Sequence, residues 1–332
     1  MSQNISAAVL LQPTDQALTA PDSQTWGWIY TDFFGLTMPP FSLLPDRNFF
    51  YCHASAQETL NTLYYSLCSG ESIIKVTGAV GIGKTVLCNT FFSALDEHFI
   101  VLKIINPNID PEIFLKAILD EFSLPYPVNI NGHQLVKYVE SFLLELHNKR
   151  QCRVVVYVDE AHQLPEQSLE IIRILSNLQT QDKNLLQFVL VGQPALDNKL
   201  KGKNIVPLRQ RISFSGRLIA LTRAEVKEYV LFRFARAGLA QRQVFTKKAL
   251  KLLHWGSAGL PRVINIIGHK SMLIAYGEGK QTITDRHVIV AIKDTESTRH
   301  RCIRRTIVRH CMSYLAGIIA ILLCINYIEF IL

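Results

Sequence analysis

No C-x-x-C spacing occurs in this chain, although it holds seven cysteines, at positions 52, 68, 88, 152, 302, 311 and 324. Scattered and odd in number, they argue against a disulfide framework and a cysteine-based metal site, and they fit a reducing compartment. The N-terminus lacks the basic opening of a secretory leader, and its apolar run at residues 7–11 is too short for one. Acidic residues are scarce in the C-terminal third. Residues 199–311 carry 24 Lys/Arg against 6 Asp/Glu, a net of +18, whereas residues 1–198 carry 11 against 20, a net of −9. Strand-like runs also stop, at about Leu221. At 332 residues and 48% hydrophobic, the chain suffices for one large core or for a core with a small satellite domain.

What is present begins with Gly78-Ala79-Val80-Gly81-Ile82-Gly83-Lys84-Thr85, a complete G-x-x-x-x-G-K-[ST] loop. A short β-branched run, Ile73-Ile74-Lys75-Val76-Thr77, precedes it. Apolar residues at helical spacing follow it (Leu87, Phe91, Ala94, Leu95). That strand–loop–helix context is the one a phosphate-binding loop requires. Its glycines let successive backbone N–H groups turn toward a phosphate, and the helix N-terminus adds positive potential. Lys84 is expected to reach the β- and γ-phosphates of ATP, and the Thr85 hydroxyl to ligate Mg²⁺.

The second half of the site is expected at Arg153-Val154-Val155-Val156-Tyr157-Val158-Asp159-Glu160. Such a hydrophobic run suits a strand buried on both faces of a parallel sheet. Asp159 at its end is placed to hold Mg²⁺, and Glu160 to act as general base toward water. The guanine-nucleotide signatures D-x-x-G and N-K-x-D are missing. Asp159-Glu160-Ala161-His162 spells a helicase box, but too few residues remain for the second motor domain a helicase needs.

Along the chain, residues 1–29 read as a flexible tail. Aromatics and prolines at Phe34, Pro39-Pro40-Phe41, Pro45 and Phe49-Phe50-Tyr51 suggest an irregular strap packed on the core. Helices are expected at 53–67, 111–122, 132–148 and 166–177, and strands at 73–77, 100–105, 153–158 and 188–191. Strands alternating with helices imply an α/β fold with a doubly wound parallel sheet. Helices at 223–237, 246–258, 261–276 and 285–295 then form a small lid. The expected domains are a P-loop α/β ATPase domain at 30–221, a helical lid at 222–298, a basic linker at 299–310 and a transmembrane helix at 311–332.

These motifs, with Val191-Gly192-Gln193-Pro194, Leu208-Arg209-Gln210-Arg211-Ile212 and Gly259-Leu260-Pro261-Arg262, resemble the AAA+-type ATPases of the general secretion pathway protein A (ExeA) family. His269-Lys270 and Tyr276-Gly277 look more like its MSHA (type IV) pilus biogenesis branch, MshM. The resemblance runs from about Tyr30 to Thr295. It implies Gln193 as sensor 1, Arg209 and Arg211 as the segment that supplies an arginine finger in trans, and Arg262 as sensor 2. It also implies a homo-oligomer in the form of a ring, and partners in pilus or secretion machinery.

The run Leu315-Ala316-Gly317-Ile318-Ile319-Ala320-Ile321-Leu322-Leu323-Cys324-Ile325 follows Arg301, Arg304, Arg305 and Arg309. About 20 apolar residues span a bilayer, and flanking arginines stay on the cytoplasmic side. The expectation is a single pass in the inner membrane, with the ATPase domain cytoplasmic and the arginines near anionic lipid. The alternative is a DNA-associated AAA+ ATPase of the transposition or replication type, for which the basic C-terminal third speaks. No helix-turn-helix signature accompanies it, so nucleic acid is not expected as a partner.

Overall fold

The computed structural model describes residues 30–44, 46–105, 107, 110–127, 130–150, 152–180, 184–239 and 243–298. The expected tail, basic linker and membrane helix lie outside these residues. Among the described residues, no helix is long and apolar enough to cross a membrane. The described residues divide into two compact units, one within 46–220 and one that joins 30–44 to those from 221 to 298.

The second unit therefore begins first, with the helical turn α1 (Thr31–Phe34). The first unit then follows, from α2 (Ala54–Cys68), β1 (Ile73–Gly78), α3 (Lys84–Ser93) and β2 (Phe99–Ile104) to α4 (Pro111–Glu121) and α5 (Gly132–Arg150). It continues through β3 (Arg153–Val158), α6 (Glu166–Leu175), β4 (Leu186–Gly192), α7 (Ala195–Lys199), α8 (Val206–Arg209) and β5 (Ile212–Leu218). The strands lie in the order β2-β3-β4-β1-β5, and every pairing is parallel.

Central strands β3 and β4 are buried almost throughout, because helices cover both faces of a parallel sheet. Val154, Val156 and Val158 join Phe114, Leu143 and Ile172 of α4, α5 and α6 in one cluster. Alternate residues face the other way, where the Tyr157 ring lies 5.1 Å from that of Phe92 on α3. Strand β5 is absent from the elements expected above. Its residues alternate, with Gly216 and Leu218 buried and Ser213, Ser215 and Arg217 exposed, as befits an edge strand covered on one side.

The second unit contains the helices α9 (Arg223–Arg236), α10 (Lys247–Ser257), α11 (Pro261–Gly277) and α12 (Asp285–Asp294). The first part of the strap, residues 30–44, packs on these helices, whereas Phe49-Phe50-Tyr51 belong to the first unit, as expected. Phe41 is fully buried, with its ring 5.6 Å from Phe234 and 6.0 Å from Phe245. Polar groups clamp the strap as well. The buried Arg233 guanidinium donates to the Pro40 and Ser42 carbonyls, and Asn265 Nδ2 donates to the Ser42 carbonyl at 3.2 Å. A segment rich in proline leaves carbonyls unpaired, and these donors satisfy them.

Candidate functional site

The loop between β1 and α3 turns through left-handed backbone at Gly81 (φ +73°) and Gly83 (φ +104°), which glycine alone adopts readily. Gly78 is close-packed: a Cβ there would lie 3.0 Å from Ile82 and 3.1 Å from Leu218. Of the remaining loop residues, Ala79 and Val80 are exposed and Ile82 is buried. Lys84 is buried at the first turn of α3, where its Nζ donates to the carbonyls of Gly78 (3.0 Å) and Ala79 (3.1 Å). Burial pushes its ammonium below the ordinary lysine range, against the opposing charges of Glu160 and Asp159.

Parallel pairing brings the ends of β1, β3 and β4 to one edge of the sheet, the usual place for a ligand crevice in this architecture. There the Thr85 hydroxyl donates to Asp159 Oδ2 at 2.9 Å. Asp159 Oδ1 accepts from the Glu160 N–H at 2.9 Å, which fixes the carboxylate. A hydroxyl beside a carboxylate is a hard-oxygen donor set that fits Mg²⁺. Among the described residues no three His, Cys, Asp or Glu side chains gather to hold a metal alone. Phosphate oxygens and water would have to complete its shell. Tyr157, two residues before Asp159, is buried beside Thr85 and Asp159. That burial pushes its phenol well above the ordinary range.

Glu160 takes a left-handed conformation (φ 49°, ψ 36°), uncommon for a residue with a side chain and characteristic of functional turns. Its carboxylate is 39% exposed, enough to meet water. Gln193, immediately after β4, points its Nε2 at Glu160 Oε2 from 3.4 Å. His162 Nδ1 lies 3.2 Å from the same oxygen. Lys84, Thr85, Asp159, Glu160 and Gln193 thus converge, as their strand-end positions imply.

Of the three arginines, the two in this unit, Arg209 and Arg211, do not join them. Arg209 is exposed at the end of α8 and makes no polar contact among the described residues. Arg211 donates from Nη1 to the Ser176 carbonyl at 3.1 Å, a tie within its own unit. Arg262 is exposed in the first turn of α11, in the second unit. His162 and Tyr157 also line this site and carry no role among the residues expected above. Nothing in the letters D-E-A-H reveals that the imidazole returns to the glutamate two residues before it.

Comparison with known proteins agrees with this geometry. Residues 66–200 match the AAA domain family. The chain is 37% identical over 271 residues to general secretion pathway protein A of Aeromonas hydrophila, across 82% of this chain and 49% of that protein. It thus spans about half the length of that relative. Among solved structures it is similar to the Aeropyrum pernix ORC2 protein, with TM-score 0.54 and 19% identity over 75% of this chain and 71% of that one. Drosophila ORC bound to DNA gives TM-score 0.55 and 17% identity, over 87% and 71%. At such identities the likeness is one of fold. Residues 66–200 form an AAA ATPase domain on a P-loop α/β fold with a parallel sheet.

Proposed function

We propose that this protein is an oligomeric, ATP-hydrolysing member of the general secretion pathway protein A family that serves envelope machinery. The observation that carries the catalytic part is the convergence at the sheet edge. Thr85 meets Asp159 at 2.9 Å, and beside them Glu160 lies open to water with Gln193 against it.

In this reading the residues of the 78–85 loop cradle the phosphates through backbone N–H groups, and Lys84 leaves its carbonyl partners to reach the γ-phosphate. Thr85 and Asp159 would hold Mg²⁺, which supplies charge neutralisation on the β- and γ-phosphates. Glu160 accepts a proton from the attacking water, and Gln193 orients that water as sensor 1. Arg209 reaches a neighbouring subunit's nucleotide and stabilises charge as the γ-phosphoryl group leaves. The exposed Arg209 suits that role better than Arg211, whose guanidinium is already engaged. The helices of the second unit act as the lid, with Arg262 as sensor 2.

The cellular assignment draws on the relative's name and on the apolar run at 311–332 behind its arginines. It reads as inner-membrane attachment with the ATPase domain in the cytoplasm, for secretion or, more narrowly, MSHA-like pilus assembly. The likeness to origin recognition proteins is one of fold and adds nothing for a DNA partner.

Glu160→Gln should retain ATP and abolish phosphate release, whereas Lys84→Ala should lose nucleotide binding. Equilibrium binding of a fluorescent ATP analogue and a phosphate-release assay check both. Unchanged turnover in Glu160→Gln refutes the base assignment. Removing residues 311–332 should shift the protein from the membrane pellet to the supernatant on cell fractionation.

A further inference from the structure

The half-buried imidazole beside Glu160 has no place in the mechanism above, although its Nδ1 is shut away from solvent. We propose that His162 is a positioning residue for the general base: its Nδ1–H holds Glu160 Oε2 and leaves Oε1 for water. The inference rests on the reading of Glu160 as that base.

Two observations carry it. His162 Nδ1 is buried and makes no hydrogen bond of full geometry, yet it lies 3.2 Å from Glu160 Oε2. A nitrogen lone pair facing a carboxylate oxygen at that distance repels it, so the contact is attractive only when Nδ1 carries hydrogen. The second observation is the backbone that brings the ring there. Glu160 turns left-handed into a tight helical turn at Ala161–Gln163, a conformation kept only where the surroundings enforce it.

The enforcement comes from the segment after β4. Lys199 Nζ donates to the His162 carbonyl at 3.1 Å and to the Leu164 carbonyl. Gly192 lies so close that a Cβ would sit 3.2 Å from the His162 backbone nitrogen. Gln193, from the same segment, addresses the same Oε2 at 3.4 Å. Two donors on one oxygen restrict a side chain that otherwise samples many rotamers, and a misplacement of about 1 Å can cost about a hundredfold in rate. His162 acts through Glu160 and need not touch the reacting atoms.

The test compares His162→Phe, His162→Asn and His162→Gln with wild type and Glu160→Gln, all in the full-length chain. Steady-state ATP hydrolysis, affinity for a fluorescent ATP analogue and thermal unfolding are measured. His162→Phe should lower kcat by roughly tenfold or more with ATP affinity within about twofold of wild type. His162→Asn, whose amide N–H can take the place of Nδ1–H, should return to within about threefold of wild type. His162→Gln, with its donor nearer the position of Nε2, should not. Wild-type turnover in His162→Phe overturns the proposal. So does a His162→Asn protein no faster than His162→Phe, or an affinity that falls in step with kcat. Wild-type hydrolysis by Glu160→Gln would instead overturn the general-base reading, and this proposal with it.

Discussion

At the scale of single residues, burial shifts the titration of several side chains. In the second unit the Tyr30 hydroxyl and His269 Nδ1 are hydrogen-bonded at 2.8 Å. Burial, helped by the Lys270 charge, brings the imidazole down to about 4 from the ordinary 6.5. Its folded value is the depressed one, so the neutral ring's contribution to stability is complete above pH 6.5 and is lost as pH falls toward 4. Thermal unfolding between pH 8 and pH 4 should show the wild-type melting temperature dropping in that window. His269→Gln, which can still accept from Tyr30 but does not titrate, should drop less. At the nucleotide site burial lowers Lys84 in the same way, and the Glu160 and Asp159 charges oppose that shift.

Among the elements, the strap shows most clearly how local sequence and tertiary packing divide the work. Its prolines exclude a regular element, so its aromatics must find cover elsewhere. They find it on α9 and α11. A Cβ at Gly268 would lie 2.9 Å from the Phe41 ring, so this helix position has to be glycine for the ring to settle. Phe41→Ala should therefore cost about 3–5 kcal/mol, as truncation of a buried aromatic does. Gly268→Ala should cost about 1–3 kcal/mol through overpacking. Urea unfolding followed by circular dichroism measures both. The edge strand β5 was also legible in principle, because Ile212, Phe214, Gly216 and Leu218 alternate with Ser213, Ser215 and Arg217. Its position next to the loop strand was not, since β1 pairs with β5 across more than 130 residues of chain.

For the whole molecule, the two arginines of α8 and its exit make opposite predictions. Arg211→Ala should lower the melting temperature, because it removes the tie to the Ser176 carbonyl. Arg209→Ala should leave melting unchanged and abolish turnover if Arg209 serves a neighbour's nucleotide. Mixing Arg209→Ala subunits, whose pockets are intact, with Lys84→Ala subunits, whose Arg209 is intact, should then restore hydrolysis. Neither variant should turn over alone. A coupled ATPase assay on the mixture checks this, and failure to complement places the arginine outside the reaction.

The nucleotide loop, the Asp159–Glu160 pair and the alternation of strands and helices were fixed by sequence alone, because each depends on contiguous residues. Glycine conformations, β-branched runs and helical spacing act over a few positions. Folding decided the rest. It assigned residues 30–44 of the strap to the helical unit, tied Arg211 to Ser176 while leaving Arg209 exposed, and returned His162 to Glu160. Those outcomes depend on which surfaces meet after the chain has closed on itself, and contacts between distant segments leave no periodic trace in the order of residues.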